Sequence, residues 1–337
     1  MVKILVLISV SFVIIYFYNN DSKRFVSSQI TKVSNKISNT DNKEGFKFIS
    51  DSLKTNTSKK SINLDKVLDW WPWKDGIPAI NNPKFLSISE SEKNLDFLTS
   101  KSHWLSIEIE GKSKFYPYDI LVRHEIVNDK IWNTKFAVTF CPLCWSGIAF
   151  ERIVSSREVK FWVSWKLYES NMLMYDNLTE TLWSQSLWEW VVWDYTWTKL
   201  KHIKSNLLTF EQFKNKYPTW EVLSDDTWFS RNYGVVPYGD YDFSDDLYFP
   251  VSNTDDRIAL KEIMYIVNNS WESLAFVLQD LVRQWEAELK VWENIYKAIY
   301  KDWLVDVSLD WEIIPGYYEM WFSWANHNEG SKNVWKK

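Results

Sequence analysis

Eight glycines among 337 residues leave few positions where this chain can reverse direction through positive φ without steric strain. Yet much of the chain consists of short alternating or β-branched runs that need frequent turns, such as "LSIEIEG", "KFAVTF", "GIAFERIV" and "EVKFWVSW". Tryptophans stand where those turns are expected. Trp311 follows Asp in "SLDWEII", the setting in which Asp-Gly makes a type I′ hairpin. Trp132 in "NDKIWNTKF" and Trp228 in "SDDTWFSR" are likewise flanked by polar residues, and "LDWWPWKDGIP" puts Trp70, Trp71 and Trp73 around a proline. Tryptophan numbers 23, and the two residue types together make about 9% of the chain, near an ordinary glycine content alone. The deficit and the surplus point to one cause: a genetic code in which UGA means glycine, with the gene translated as though UGA meant tryptophan. Trp183 and Trp324, with apolar or aromatic surroundings, are expected to be genuine indoles. In "WSQSLWEWVVWDYTWTKL" only Trp183 then survives, and the other four become turn or close-packing glycines.

The pattern predicts an α+β, β-rich fold of mostly antiparallel strands with a few short helices. Helical spacing is clearest in "TFEQFKNKYP", where Phe210, Phe213 and Tyr217 recur and Pro218 ends the element, and in "SESEKNLDFLTS". The stretch 107–121 resembles 266–281 in a strand, turn, strand, helix-start order, with Gly111 falling near Trp271. Either chance likeness of hairpins or an internal duplication accounts for it.

At the N-terminus, "MVKILVLISVSFVIIYFYNN" is apolar from Ile4 to Tyr18 and is followed by a Ser-, Asn- and Lys-rich tract. Residues 1–19 are expected to be a signal or membrane anchor, 20–62 a flexible polar linker, and 63–337 a globular domain with a subdivision near 255. The membrane is the expected partner through that anchor, and the domain is extracytoplasmic, or secreted if the segment is cleaved. A net charge of −5 gives no electrostatic footprint for nucleic acid.

Chemistry concentrates on "FCPLCWSGIAF", whose Cys141 and Cys144 form one C-x-x-C. Such a pair serves as a redox disulfide, as half of a metal site or as a structural thiol pair. A thioredoxin-like placement needs a helix after the pair, whereas "SGIAFERIV" has the pattern of a strand. Upstream, "RHEIVNDK" groups His124, Glu125, Asn128 and Asp129. His124 with Cys141 and Cys144 makes a tentative soft ligand set for Zn or Cu, short of the fourth ligand of a structural zinc site. Alternatively, one cysteine is the nucleophile of a hydrolase acting on envelope material, with His124 or the Glu125 carboxylate in acid–base roles. Further residues able to bind a ligand are Ser146 and the polar set Lys166, Tyr168, Ser170, Asn171, Trp183 and Gln185, which would also suit a non-catalytic binding module or a solvated hairpin face. No P-loop, dinucleotide fingerprint or H-E-x-x-H motif occurs.

Taken together, "KDGIPAINNPKF", "YPYDILVRHEIVND", "VTFCPLCWSGIAFER", "SWKLYESNMLMYDNLTETLWSQ" and "VLSDDTWFSRNYGVVPYGDY" resemble the DUF3179 family, a bacterial and archaeal family defined by sequence and of uncharacterised function. The resemblance implies that His124, Glu125, Asn128, Asp129, Cys141 and Cys144 match the family pattern without departure. It further implies glycine at positions 71, 145, 162, 165, 188 and 193 of this chain, and a tryptophan at 183.

Overall fold

The computed structural model describes residues 55, 57–69, 76–192, 198–269 and 272–337. The expected anchor, most of the expected linker, and Trp70, Trp71, Trp73, Trp193, Trp197 and Trp271 lie outside the described residues. Among the described residues no helix is long and apolar enough to cross a membrane. The fold is β-rich and mostly antiparallel, with five α-helices of seven residues each.

Two copies of one supersecondary unit build the molecule. The first runs β1 (His103–Ile109), β2 (Lys112–Pro117), α1 (Tyr118–His124), β3 (Ile126–Ile131), β4 (Thr134–Cys141) and β5 (Ser146–Glu151). An insertion follows, containing β6 (Phe161–Tyr168), β7 (Asn171–Asp176), β8 (Leu182–Ser184) and β9 (Glu189–Val192). The first unit then closes with β10 (Ser205–Thr209), α2 (Phe210–Lys216) and β11 (Glu221–Leu223). The second unit runs β12 (Ile263–Asn269), β13 (Glu272–Val277), α3 (Leu278–Gln284), β14 (Glu286–Val291), β15 (Asn294–Lys301) and β16 (Leu304–Leu309). It closes with β17 (Glu312–Ile314), β18 (Gly316–Met320), α4 (Trp321–His327) and β19 (Val334–Trp335).

From β1 to β4 the two copies match element for element without insertion or deletion. Pairing follows the same plan: β10 lies antiparallel to β1 and β11 parallel to β2, as β18 lies antiparallel to β12 and β19 parallel to β13. Equal register over this length, with equal topology after it, identifies a duplication. Residue 255 lies in the segment between the two copies. They also interlock, because β18 of the second copy pairs with β5 of the first through Tyr318 and Gly147, and one hydrophobic core runs through both.

Local chemistry accounts for the elements. Thr209 and Gln212 form a capping box at the start of α2, with Thr209 N to Gln212 Oε1 at 2.8 Å and Gln212 N to Thr209 Oγ1 at 3.1 Å. The face bearing Phe210, Phe213 and Tyr217 packs on Phe115, so the helical spacing in the sequence is a buried stripe. Both α1 and α3 end in a left-handed residue, Glu125 at φ 57° and Trp285 at φ 68°.

Turns are where this chain departs from steric norms. Among the described residues, half of the non-glycine positions at positive φ are tryptophans: Trp132, Trp145, Trp165, Trp188, Trp228, Trp285, Trp292, Trp303 and Trp311. The β1–β2 turn uses Glu110 and Gly111, both at positive φ, as a type I′ hairpin requires. The β15–β16 and β16–β17 turns place Asp302–Trp303 and Asp310–Trp311 in the same two conformations. Trp311 is 93% exposed, so its indole gains almost nothing by burial there. In contrast, Trp183 and Trp324 lie outside the positive-φ set, are fully buried, and donate Nε1 to Asp176 Oδ2 at 3.0 Å and to Ser273 Oγ at 2.8 Å. Trp165 and Trp162 instead bury an Nε1 that has no hydrogen-bond partner.

Candidate functional site

The C-x-x-C sits in a hairpin. Cys141 ends β4 opposite Ser146 of β5, and residues 142–145 form the turn, so the pair has no following helix dipole. The equivalent turn of the second copy is two residues shorter, with only Asp302 and Trp303 between the strands. The cysteine loop is therefore an elaboration of the first copy. Asn128, Thr139, Cys141 and Ser146 share one face of β3–β5, and the inserted strands β6–β9 cover it. Asn128 bridges to Phe161 of β6 through Nδ2 to the carbonyl at 2.8 Å and Oδ1 from the amide at 2.9 Å. The second copy lacks an insertion, and its corresponding residues Glu288, Ile299 and Lys301 are exposed.

Between the two layers lies a buried polar network centred on Cys144. Both thiols are free and buried, and Cys144 Sγ lies 3.8 Å from the Cys141 carbonyl oxygen. Asn171 Nδ2 stands 3.0 Å from Cys144 Sγ, closer than its other acceptors. Ser146 gives its proton to Gln185 Oε1 at 2.6 Å, so its lone pair is free to accept from the Cys144 thiol at 3.2 Å. Gln185 Nε2 donates to Thr139 Oγ1 at 2.9 Å, which passes its own proton to the Ile148 carbonyl at 2.8 Å. With the Ser146 proton given to Gln185, Cys144 is the donor in its contact with Ser146. Burial agrees, pushing the Cys144 thiol well above its ordinary pKa.

Glu319 of β18 closes the network from the second copy. Fully buried, it accepts from Asn171 Nδ2 at 3.3 Å, Ser186 Oγ at 3.0 Å and Ser323 Oγ at 2.5 Å. Loss of solvent raises its pKa to about 7, against the opposing effect of the two serine hydroxyls. A cavity of about 20 Å³ is lined by Glu125, Cys141, Trp165, Lys166 and Tyr238, with apolar residues making up the rest of its wall. Glu125 is held at positive φ, its carboxylate faces the Tyr238 hydroxyl at 3.4 Å, and burial raises its pKa to about 8. A buried carboxyl that is mostly neutral at pH 7 is a proton donor. Ser170 sits beside Cys141, its carbonyl 4.0 Å from Sγ and its buried hydroxyl without a hydrogen-bond partner.

The site residues expected from sequence divide into those drawn together and those placed elsewhere. Cys141, Cys144, Ser146, Ser170, Asn171 and Gln185 converge, with Glu125 and Lys166 at the cavity. His124 is placed elsewhere. Its Nδ1 lies 2.7 Å from the Pro78 carbonyl and its Nε2 2.8 Å from the Tyr233 hydroxyl, so neither ring nitrogen is free for a metal or a thiol proton. Burial lowers its pKa to about 4 and keeps the ring neutral. His124 is thus tied to Pro78 and Tyr233 and does not enter the hydrogen-bond network around Cys144. Among the described residues no group of three or more His, Cys, Asp or Glu is placed to hold a metal.

Asp129 belongs to the framework, paired with Lys114 at 2.8 Å and accepting from Tyr116 Oη at 2.7 Å. Asn128 likewise ties β3 to β6. Tyr168 lies on β6 against His327, and Trp183 is anchored on Asp176, so neither reaches the thiols through a recorded contact. The Lys166–Trp183 stretch is not a solvated hairpin face, since Lys166, Ser170, Asn171, Asp176 and Trp183 are all buried. Thr139, Tyr238 and Glu319 were not legible as site residues. Thr139 and Glu319 carry no motif, and Tyr238 lies about a hundred residues from the cysteines. Only alignment of the two copies exposes Glu319, which stands where the first copy has Leu208.

No curated protein and no solved structure matches this chain. The model of a protein family of unknown function, DUF3179, matches residues 74–309, which span the first copy, the insertion and most of the second copy, and the chain belongs to that family.

Proposed function

We propose that this protein is a dithiol redox protein in which Cys141 and Cys144 interconvert between two thiols and a disulfide. The observation that carries the reading is the pair of free, buried thiols in one hairpin turn, Cys144 Sγ 3.8 Å from the Cys141 carbonyl, inside a hydrogen-bond network with Asn171 Nδ2 at 3.0 Å from Cys144 Sγ. Such a network fixes the resting thiol in place and ends on Glu319, a carboxyl titrating near neutrality. Formation of the disulfide breaks two S–H bonds and releases two protons and two electrons to an acceptor. The second copy supports the assignment by contrast, because the same fold there has Lys301 in place of Cys141 and a turn with no cysteine. The apolar run Ile4–Tyr18 supports a membrane-tethered, extracytoplasmic setting for this chemistry.

The test is oxidation of the reduced full-length protein by diamide, followed by peptide mass analysis. A Cys141–Cys144 disulfide that dithiothreitol reverses is expected. Thiols that remain alkylatable after diamide treatment overturn the reading.

We also propose that the tryptophans at positive φ are glycines in the native protein, through reading of UGA as glycine. Support comes from the backbone at Trp145, Trp165 and Trp188, three of the positions at which the family resemblance implies glycine, and from Trp303 and Trp311 at the second position of type I′-like turns. Peptide masses of the protein isolated from its own source test this: a loss of 129 Da per site relative to the sequence as written is not required of Trp183, and about that loss is expected at position 311. Indole masses at 303 and 311 sink the idea.

A further inference from the structure

The two copies of the duplicated unit differ at one sheet edge. In the first copy, the outer side of β3 is covered by an earlier stretch of the chain. Ile80 pairs with Val127 in parallel register, its amide donating to the Ile126 carbonyl at 2.8 Å and its carbonyl accepting from the Asn128 amide at 2.8 Å. In the second copy β14 is the edge of the sheet β14–β15–β16–β17, and among the described residues no backbone bond reaches its outer side. An open row of amides and carbonyls is a template for a further strand.

The register shows which groups point outward. The Trp285 carbonyl accepts from the Tyr300 amide at 2.8 Å, as the Glu125 carbonyl of the first copy accepts from the Phe140 amide at 2.7 Å. Trp285 therefore bonds inward to β15, and so do Ala287, Leu289 and Val291, because the bonding side of a strand alternates with each residue. Glu286, Glu288 and Lys290 present their backbone groups to the outside, as Ile126 and Asn128 do to Ile80 in the first copy. Their side chains are exposed, whereas Ala287 and Val291 are buried and Leu289 is half-buried on the core face.

We infer that the partner of this edge is a second copy of this chain, joined by antiparallel β14–β14 pairing about a twofold axis at Leu289. With Leu289 opposite its symmetry mate, Glu288 of each protomer stands opposite Lys290 of the other. Both residues point their backbone groups outward, so each such pair exchanges both of its backbone bonds. Their side chains share one face and carry opposite charges, a favourable cross-strand pair. On the other face Leu289 meets Leu289 and Ala287 meets Val291, which continues the apolar side of the sheet across the axis. A shift of one residue sets outward groups against inward ones. A shift of two residues sets Glu288 against Glu288, or Lys290 against Lys290, on the axis itself. Charged residues ordinarily keep edge strands apart, but the order of the signs here leaves one register favourable. Within the chain Glu288 already meets Lys297 at 3.2 Å, an exposed pair that contributes little and leaves the carboxylate open to a second cation. The paired residues 287–291 include no tryptophan and lie outside the cysteine network.

The experiment is sedimentation equilibrium of the full-length protein in neutral detergent, with the fold checked by far-UV circular dichroism. A concentration-dependent equilibrium between monomer and dimer is expected. Glu288→Lys and Lys290→Glu should each weaken the dimer by about tenfold or more, because each sets like charges opposite one another. Mixed in equal amounts, these two variants should form a heterodimer of near the unsubstituted strength, since each lysine then faces a glutamate. The double variant, Glu288→Lys with Lys290→Glu, should dimerise by itself, which separates the cross-strand charge from loss of the Lys297 pair. Glu288→Pro removes an outward amide that β15 does not use, and should abolish association while the fold is kept. Monomer at every concentration, or a dimer that both single reversals leave intact, overturns the inference. A dimer that the single reversals weaken and neither the mixture nor the double variant restores overturns it too.

Discussion

Glu319 occupies in the second copy the position that Leu208 occupies in the first, each one strand-end residue ahead of the helix that follows. The register fixes the equivalence, since Leu208 pairs with Trp104 and Glu319 with Met264, themselves matched positions of the two copies. One copy thus shows that the fold accepts an apolar residue where the other buries a carboxyl.

Glu319→Leu is therefore expected to fold, as judged by an unchanged far-UV circular dichroism spectrum. Its thiol chemistry should change: the rate of Cys144 alkylation, followed against pH in Cys141→Ser, should lose the inflection near 7 that Glu319 imposes. An inflection that persists in the variant would remove Glu319 from the site.

Stability should fall as pH rises from about 6.5 to 8. Glu319 and Glu125 have folded-state pKa values of about 7 and about 8, above the ordinary 4.5, so the folded chain holds more protons than the unfolded one in this window. Their contribution is fully present below 4.5 and is lost as pH passes through those values. His103 and His124, lowered to about 4, act in the opposite sense between about 4 and 6.5, which confines the clean signal to the upper window. Urea midpoints in Glu125→Gln should lose most of the slope between pH 7 and 8; an unchanged slope counts against the buried acid.

Lys114 and Asp129 form a buried ion pair where the second copy has Leu274 and Leu289, both apolar. Asp129→Leu alone should destabilise by about 3–5 kcal/mol, because it strands the Lys114 charge. The double change Lys114→Leu with Asp129→Leu should recover most of that loss in urea denaturation. Equal losses in single and double variants would mean that Asp129 acts through other partners.

Trp303→Gly and Trp311→Gly should each stabilise the protein by about 1 kcal/mol, since a side chain at left-handed φ costs roughly 1–2 kcal/mol and the glycine gives part of this back as unfolded-state entropy. Trp183→Gly, made as the control, should destabilise by about 3–5 kcal/mol through the cavity and the stranded Asp176. Thermal or urea unfolding reads both. Destabilisation by Trp311→Gly would contradict the turn argument.

The sequence by itself determined the local order of this protein. Alternation in "KFAVTF" set β4, the Phe210, Phe213 and Tyr217 spacing set α2, and Asp-Trp pairs marked hairpins, all because these signals depend on neighbours within a few residues. It also singled out Cys141 and Cys144, whose residue type announces itself. What it left open was long-range. The likeness of 107–121 to 266–281 proved to be one edge of a duplication that only shared register and topology make plain, because the two copies kept pairing geometry while their side chains diverged, Lys114 to Leu274 and Asp129 to Leu289. His124 looked like a ligand because it lies seventeen residues before Cys141, but sequence distance carries no information on where a ring nitrogen points, and the fold gives both nitrogens to Pro78 and Tyr233. Glu319 became a site residue only because β18 of one copy pairs with β5 of the other, bringing a carboxyl 148 residues away to Asn171, out of water, where its proton affinity rises.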